Sequence, residues 1–376
     1  MFSSIIHKSL VPYLVGILFS IGLLRLTFVG FQISNGEIAP YAISEWLINY
    51  SGGFVRRGLL GQLFLNHSPG GLVGITFIVA LGLLILSPIF YLSLIWLRSQ
   101  KWNWASFVLV CNPAALLFVA WDTGSFLRKE SIGIAAMSLV VTAYSFTEKV
   151  LFRRILVLSA VLLYLIAVLA SEVNSFLLPF FVYILWKSRN LLAADRFLLL
   201  TSTSLPMLSV LGIFVAAFFQ GNSRMALIMC DSLLEKGVPE AYCGNAMGFI
   251  GEPITTYIGS VLNSYPAYFL YIPLFVLSVF PIITHSWFKL NKPWFLSFLI
   301  FVAPLFVIAV DYGRWISLFV LGCLICIMSE KTQGVGHRVW KPMTSVLFVF
   351  GWGLPHYLNT PIDTLIWLGP IAWILT

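Results

Sequence analysis

Between Leu10 and Phe31 the chain runs for 22 residues with one charge, Arg25, and between Leu72 and Leu97 it runs for 26 with none. A helix on a soluble protein keeps its apolar side chains to one face, whereas these runs are apolar all round. A segment of about 20 apolar residues spans the hydrocarbon core of a bilayer. There every backbone N–H and C=O must be satisfied within the segment, which selects helices. Of the 376 residues 60% are hydrophobic and 10% charged, against about 25% charged in a soluble domain. The mean hydropathy is +0.96. The sequence therefore predicts an all-α polytopic membrane bundle of roughly 10–12 transmembrane helices.

The expected spans are Leu10–Phe31, Leu72–Leu97, Trp104–Ala120, Ser131–Phe146, Ile155–Ala170, Phe176–Trp186, Phe197–Phe219, Ala267–Trp287, Trp294–Val310 and Trp315–Met328. A tail from Met343 to Leu375 reads as a hairpin or two short spans broken at "LPHYLNTP". The N-terminal run is too long for a signal-peptide core and lacks a small-residue cleavage site, so it reads as an uncleaved first span. No repeat, low-complexity run or soluble domain stands out, and residues 1–376 read as one transmembrane domain.

With the N-terminus inside, 14 of the 22 Lys and Arg fall in cytoplasmic segments: Lys8, Arg98, Lys101, Lys149, Arg153, Arg154, Lys187, Arg189, Arg196, Lys289, Lys292, Lys331, Arg338 and Lys341. Positive charge collects on the cytoplasmic side, so this orientation is preferred. The net charge of +8 is then a topology signal, and nucleic acid is not an expected partner. The same orientation puts "SGGFVRRGLLG", "WDTGSFLRKE", "SEVN", the segment 220–257, "DYGRW" and His356 outside. The unusual polarity gathers on one face, which marks the working face. The site is therefore expected to face the exterior.

Cys111, Cys323 and Cys326 lie within spans and read as packing residues. Cys230 and Cys243 flank "DSLLEKGVPEAY" in the external loop 220–257. An oxidising compartment favours a bridge between them over two free thiols.

Ser51-Gly52-Gly53 breaks one element and starts another. The region near 54–65 reads as a short amphipathic or re-entrant external helix with Arg56 and Arg57 at its N-terminal end. Free backbone N–H groups and arginine forks there suit an anion. The alternative is that one arginine snorkels to headgroups and the other pairs with Glu45 or Glu37, and for a single arginine that alternative would win. A glycine-flanked pair, on the face where positive charge is scarce, favours the anion site. Asp122 follows a span and is a candidate base. Arg128, Lys129 and Glu130 open the next span, the last two reading as a self-paired turn. Glu172 lies at a depth that is costly unless the acid is paired or used. Asp311 and Arg314 are three apart, so they pair along one helical face or serve a site. Glu252 marks a turn before proline, and His356 reads as structural.

No HExxH, zinc set, DxD pair, P-loop or dinucleotide fingerprint occurs, so neither a metal nor a cofactor is expected. Outside the membrane the activated sugar donors are lipid-linked. Using one takes cations for the phosphate leaving group and a carboxylate for the acceptor hydroxyl.

The combination "SGGFVRRGLLG", "SEVNSFLLPFF" and "DYGRWI" resembles multi-span proteins of bacterial surface-polysaccharide gene clusters. More broadly it is similar to O-antigen polymerases and GT-C-type membrane glycosyltransferases. The resemblance implies a helical enzyme of a bacterial inner membrane, its site facing the periplasm or exterior, using polyprenyl-phosphate or pyrophosphate-linked sugars for O-antigen or capsule, most simply a repeat-unit polymerase. The alternatives are a single-sugar transferase and a lipid-linked glycan flippase. Implied partners are the polyprenyl-linked glycan, membrane lipid and other polysaccharide-assembly proteins. The GT-C resemblance implies an external acid as base, with Glu45 or Asp122 matching by position. The polymerase resemblance implies arginines without metal, matched by Arg56, Arg57 and Arg314. The candidate bases are thus Glu45, Asp122, Glu172 and Asp311, and the candidate phosphate ligands Arg56, Arg57, Arg128 and Arg314.

Overall fold

The computed structural model describes residues 2–38, 40–122, 125, 127–252, 254–264, 267–330 and 340–356. The tail beyond His356 and the segment carrying Lys331 and Arg338 lie outside the described residues. The described chain is helical, without a β-strand. In order come α1 (Phe2–Ser34), α2 (Tyr41–Leu47), α3 (Leu59–His67), α4 (Gly71–Ser99), α5 (Trp104–Val110), α6 (Leu116–Trp121) and α7 (Glu130–Val141). Then follow α8 (Val150–Ala170), α9 (Leu178–Lys187), α10 (Arg189–Ala194), α11 (Arg196–Phe218), α12 (Ser223–Glu235), α13 (Asn245–Gly248) and α14 (Ile254–Asn263). The last are α15 (Tyr268–Thr284), α16 (Ser286–Leu290), α17 (Lys292–Val302), α18 (Leu305–Ile308), α19 (Tyr312–Met328) and α20 (Pro342–Phe350).

Among the described residues four helices are long and apolar enough to cross a membrane: Leu10–Ser34 within α1, α4, α8 and α11. The expected span Trp104–Ala120 is not one helix. Pro113 has no N–H to donate, and Asn112 Oδ1 accepts the Ala114 N–H at 2.9 Å. This side-chain turn splits the run into α5 and α6. Trp294–Val310 divides likewise, into α17 and α18, at Ala303–Pro304.

By internal contacts the chain forms two compact units. Unit A comprises Leu26–Ile89 and Phe126–Pro253, and unit B comprises Met1–Arg25, Phe90–Ser125 and Ile254–Thr376.

In unit A, α7, α8 and α11 pack around a 3₁₀ turn, Glu172–Leu177. A Cβ at Gly133 would stand 2.2 Å from Asn174 Oδ1, so α7 meets this turn at backbone distance. The segment expected as an external loop is largely helical. Asn222 caps α12 by accepting the Met225 N–H at 3.0 Å, and Cys230 and Cys243 are joined by a disulfide with a Cα–Cα distance of 5.4 Å. Tyr242 anchors it by donating its hydroxyl to Ile33 O at 3.1 Å.

In unit B every residue of α19 is buried. Phe319 of α19 lies edge-on to Phe295 of α17 and tilted against Phe275 of α15, at ring separations of 5.3 and 5.6 Å. Asn112 Nδ2 donates to Ser278 O at 2.7 Å, tying the α5–α6 turn to α15.

Candidate functional site

The candidate bases and phosphate ligands collect into two clusters, one in each unit. In unit A, Arg57 has φ 69. That left-handed backbone is incompatible with continuing a helix, so α3 starts at Leu59 rather than near residue 54. The two arginines stand in the turn before it. The Arg56 N–H donates to Phe219 O at 2.6 Å, pinning this turn to the end of α11.

Arg57 donates Nε to Glu172 Oε2 at 2.8 Å, Nη2 to Glu172 Oε1, and Nη1 to Glu45 Oε1 at 3.1 Å. Arg56 Nη1 reaches Glu172 Oε1 at 3.1 Å. Arg128 Nη1 lies 3.4 Å from Glu45 Oε2, and its guanidinium sits 4.7 Å over the Tyr41 ring. Lys129 is fully buried, and its ammonium donates to Arg57 O at 3.0 Å. It therefore supports the strained turn, where the sequence suggested a self-paired Lys129–Glu130. Glu130 instead accepts from Ser171 Oγ at 3.2 Å.

Asn174 explains why Glu172 is in place. Its Nδ2 donates to Ala167 O at 2.9 Å and to Lys129 O at 3.3 Å, so one amide fixes the Glu172 turn against the start of α7. Tyr164 adds a hydroxyl bond to Asn174 O at 2.8 Å.

Burial alone would raise the Glu172 carboxyl, but the guanidiniums of Arg57 and Arg56 outweigh it and hold it far below the usual range. Burial pulls Arg57 down, and the Glu172 and Glu45 carboxylates more than reverse that. Lys129 shows the opposite balance: burial wins over Glu45 and pushes its ammonium down to about 8. A carboxylate so firmly ionised is a weak proton acceptor, so Glu172 is better suited to hold cations than to act as a base. The described cluster contains four cations (Arg56, Arg57, Arg128, Lys129) and three carboxylates (Glu45, Glu130, Glu172), one positive charge in excess. Arg57 spends all three of its nitrogens on carboxylates. Arg56 spends only Nη1, and its side chain is 26% exposed.

In the same unit a cavity of about 460 Å³ is walled by Trp46, Leu60, Phe64, Val73 and Phe77, among others. Cluster and cavity meet on α2. Glu45 binds the arginines, while the next residue, Trp46, lines the cavity and donates its indole N–H to Leu127 O at 2.5 Å.

In unit B, His356 lies between two carboxylates. Its Nδ1 is 3.0 Å from Asp122 Oδ2 and 3.0 Å from Ser125 Oγ, and its Nε2 is 3.5 Å from Asp311 Oδ1. Asp311 Oδ2 also accepts from Arg314 Nη1 at 2.8 Å, the i,i+3 pair foreseen from spacing. Phe118 stacks parallel to the imidazole at 6.3 Å. Two backbone bonds hold the histidine's segment: Gly313 N–H to His356 O at 3.1 Å and Tyr271 hydroxyl to Pro355 O at 3.1 Å. His356 was read from sequence as structural. Its partners Asp122 and Asp311 stood out as charges in an apolar chain, but nothing local links them to a histidine 234 residues after Asp122.

Among the described residues no group of three or more His, Cys, Asp or Glu is arranged to hold a metal ion. No protein-family model matches the chain, and neither a curated protein nor a solved structure matches it.

Proposed function

We propose that this chain is an integral-membrane glycosyltransferase, working at the outer face of a bacterial inner membrane on sugars carried by a polyprenyl phosphate or pyrophosphate. Within that class it is a repeat-unit polymerase of surface polysaccharide. The observation that carries the reading is the excess positive charge of the unit A cluster, with Arg56 keeping donors unspent beside a fully engaged Arg57. A phosphate supplies the missing negative charge, and guanidinium forks match its oxygens. The neighbouring apolar cavity suits the hydrocarbon of a lipid carrier. Four membrane-length helices and the distribution of Lys and Arg support the location and the orientation.

The test has two arms. Purified protein in detergent is titrated with undecaprenyl phosphate, following tryptophan fluorescence. Wild type should bind, and Arg56→Gln should bind about 10- to 100-fold more weakly, the worth of one hydrogen bond to a charged group. In the native host, a deletion strain is complemented and its surface glycan sized on a gel. Long chains with wild type and single repeat units with Arg56→Gln support polymerisation. Full-length chains lacking one sugar indicate a side-sugar transferase, and glycan retained inside the cell indicates a flippase. Equal binding by wild type and Arg56→Gln would remove the phosphate site from the reading.

A further inference from the structure

We propose that the end of unit A at which α8 and α11 begin binds the headgroup phosphate of an anionic phospholipid, phosphatidylglycerol, through Lys187 and Arg189 held at the Trp186 ring. The inference rests on the membrane-length helices of this unit and not on the reaction proposed above.

α8 and α11 both have the length and apolarity to cross a membrane, and they cross it in the same direction. Contacts climb the two helices together. Arg154 meets Asp195, then Tyr164 Oη lies 2.6 Å from Ser209 Oγ, then a Cβ on Gly212 would stand 3.0 Å from that of Val168. Their first turns therefore share one level, where spans of this length meet the headgroups. The end of α9 reaches the same level. Leu185 of α9 and Leu191 of α10 pack against one apolar cluster that includes Val157 of α8 and Leu198 of α11. Close to this end Leu151 and Leu200 are each 73% exposed, as side chains facing lipid are.

This end is basic. Lys149, Arg153, Arg154, Lys187, Arg189 and Arg196 stand against Glu148 and Asp195, four positive charges in excess. Asp195 is committed within the fold. It caps α11 by accepting the Phe197 N–H at 3.0 Å, and Arg154 grips it with two nitrogens at 3.0 and 3.2 Å. Arg153 is committed as well, donating to Ala143 O at 3.2 Å and to Thr147 O at 2.6 Å.

Lys187 and Arg189 are placed differently. Both are exposed, and both stand at one indole. The Lys187 ammonium and the Arg189 guanidinium each lie 5.2 Å from the Trp186 ring. The ring attracts each cation, while the two cations repel each other. An anion shared by them turns that repulsion into attraction. Trp186 is 42% exposed, and tryptophan at this level is an interfacial anchor, so the anion that reaches it is one carried by the bilayer. A phosphodiester accepts from both ammonium and guanidinium, and its acyl chains meet the exposed apolar side chains of α8 and α11. Clusters of Lys and Arg beside a span suit anionic headgroups. The positive-inside bias accounts for charge at this end, but it does not require two cations at one ring.

The test titrates full-length protein in an uncharged detergent with phosphatidylglycerol and, separately, with phosphatidylcholine, counting bound lipid by native mass spectrometry. Wild type should prefer phosphatidylglycerol by about 30-fold, two cations at roughly fivefold each. Lys187→Gln with Arg189→Gln should bind the two lipids within about threefold of each other. Arg56→Gln should keep the wild-type preference, and so should Lys289→Gln with Lys292→Gln, which removes two cations from unit B. Wild type without a preference overturns the proposal. An equal loss in the Lys289 and Lys292 variant overturns it in favour of diffuse charge attraction. A loss confined to Arg56→Gln overturns it in favour of the arginine cluster. If the Lys187 and Arg189 double variant does not elute as a monodisperse peak, Arg189→Gln decides, with about a fivefold loss expected and no loss overturning the proposal. Failure of wild type to bind undecaprenyl phosphate or to restore glycan overturns the proposed function and leaves this result standing.

Discussion

Arg57 grips Glu172 with two nitrogens of one guanidinium, Nε to Oε2 at 2.8 Å and Nη2 to Oε1, while its third nitrogen holds Glu45. The arginine reaches these acids from a left-handed backbone that would otherwise cost about 1–2 kcal/mol. The ion pair and the turn therefore depend on each other. Removing one partner of a fully buried pair costs about 3–5 kcal/mol, and this part-buried pair, in which Arg57 would keep Glu45, should lose less than that. Glu172→Gln is expected to lower the Tm of the detergent-solubilised protein, with a larger loss than in an Arg57→Met, Glu172→Leu double variant. Differential scanning fluorimetry reads this directly, and equal losses would show that the pair is not the mutual support.

The same pair sets an acid limit. Because the folded Glu172 carboxyl is held far below its ordinary value, its contribution is whole above the unfolded value of about 4.3. It drains away as pH falls from there through the depressed folded value. Wild type should lose Tm steeply over that acid window, and Glu172→Gln should show a shallower slope there. Parallel curves would mean that the carboxyl titrates alike in both states.

Lys129 behaves in the opposite sense. Burial lowers its ammonium from 10.5 to about 8, so between those values the unfolded chain binds more protons than the folded one. Stability from this residue rises with pH across that window and is flat on either side. The Tm difference between wild type and Lys129→Met should therefore move in favour of wild type from pH 8 to 10.5. A constant difference would contradict the burial cost.

Gly313 is a packing requirement of the His356 site. A Cβ there would stand 1.9 Å from Pro355 O, a backbone atom that also accepts the Tyr271 hydroxyl. Gly313→Ala should cost about 1–3 kcal/mol through overpacking, read as a lower Tm. An unchanged Tm would show that the 355–356 segment yields at no cost.

The Cys230–Cys243 bridge closes a short loop, with a sequence separation of 13, and the chain-entropy model assigns such closure about 3 kcal/mol. Reduction, or Cys230→Ser with Cys243→Ser, should lower Tm by several degrees. Non-reducing peptide mapping confirms the linkage.

The helical class was legible because charge-free runs such as 72–97 admit little else. The limits of legibility lie in the side chains. Asn112-Pro113 divides an apolar run that hydropathy alone reads as one span, because hydropathy is blind to a missing N–H. The Asp311–Arg314 pair could be read from its spacing, being local. The Arg57–Glu172 pair could not, since 115 residues separate its members and no periodicity joins them. Pairing with Glu45 was foreseen only as the simpler alternative to an anion site. The structure contains that pairing and still leaves Arg56 with unspent donors. Asn174 and Lys129 were missed because their work is done on backbone carbonyls, a role that residue type does not announce. The contacts of His356 could not be read either, since Asp122 and Asp311 lie far from it along the chain.

The separation of Arg57 from Glu172 also has a meaning in time. Synthesis proceeds at about 5–20 residues per second, so Glu172 leaves the ribosome roughly 6 to 23 seconds after Arg57, across their 115-residue gap. Through that interval Glu45 is already made, while Arg128, Lys129 and then Glu172 arrive one after another. The nascent chain thus carries Arg56 and Arg57 ahead of their principal counter-charge, and they must wait in water or among headgroups until it emerges. Closure of this cluster waits on Glu172. A chain stalled before α8 would hold Glu45 against Arg57 but would leave Arg56 without its carboxylate, a mark by which an unfinished molecule differs from a finished one.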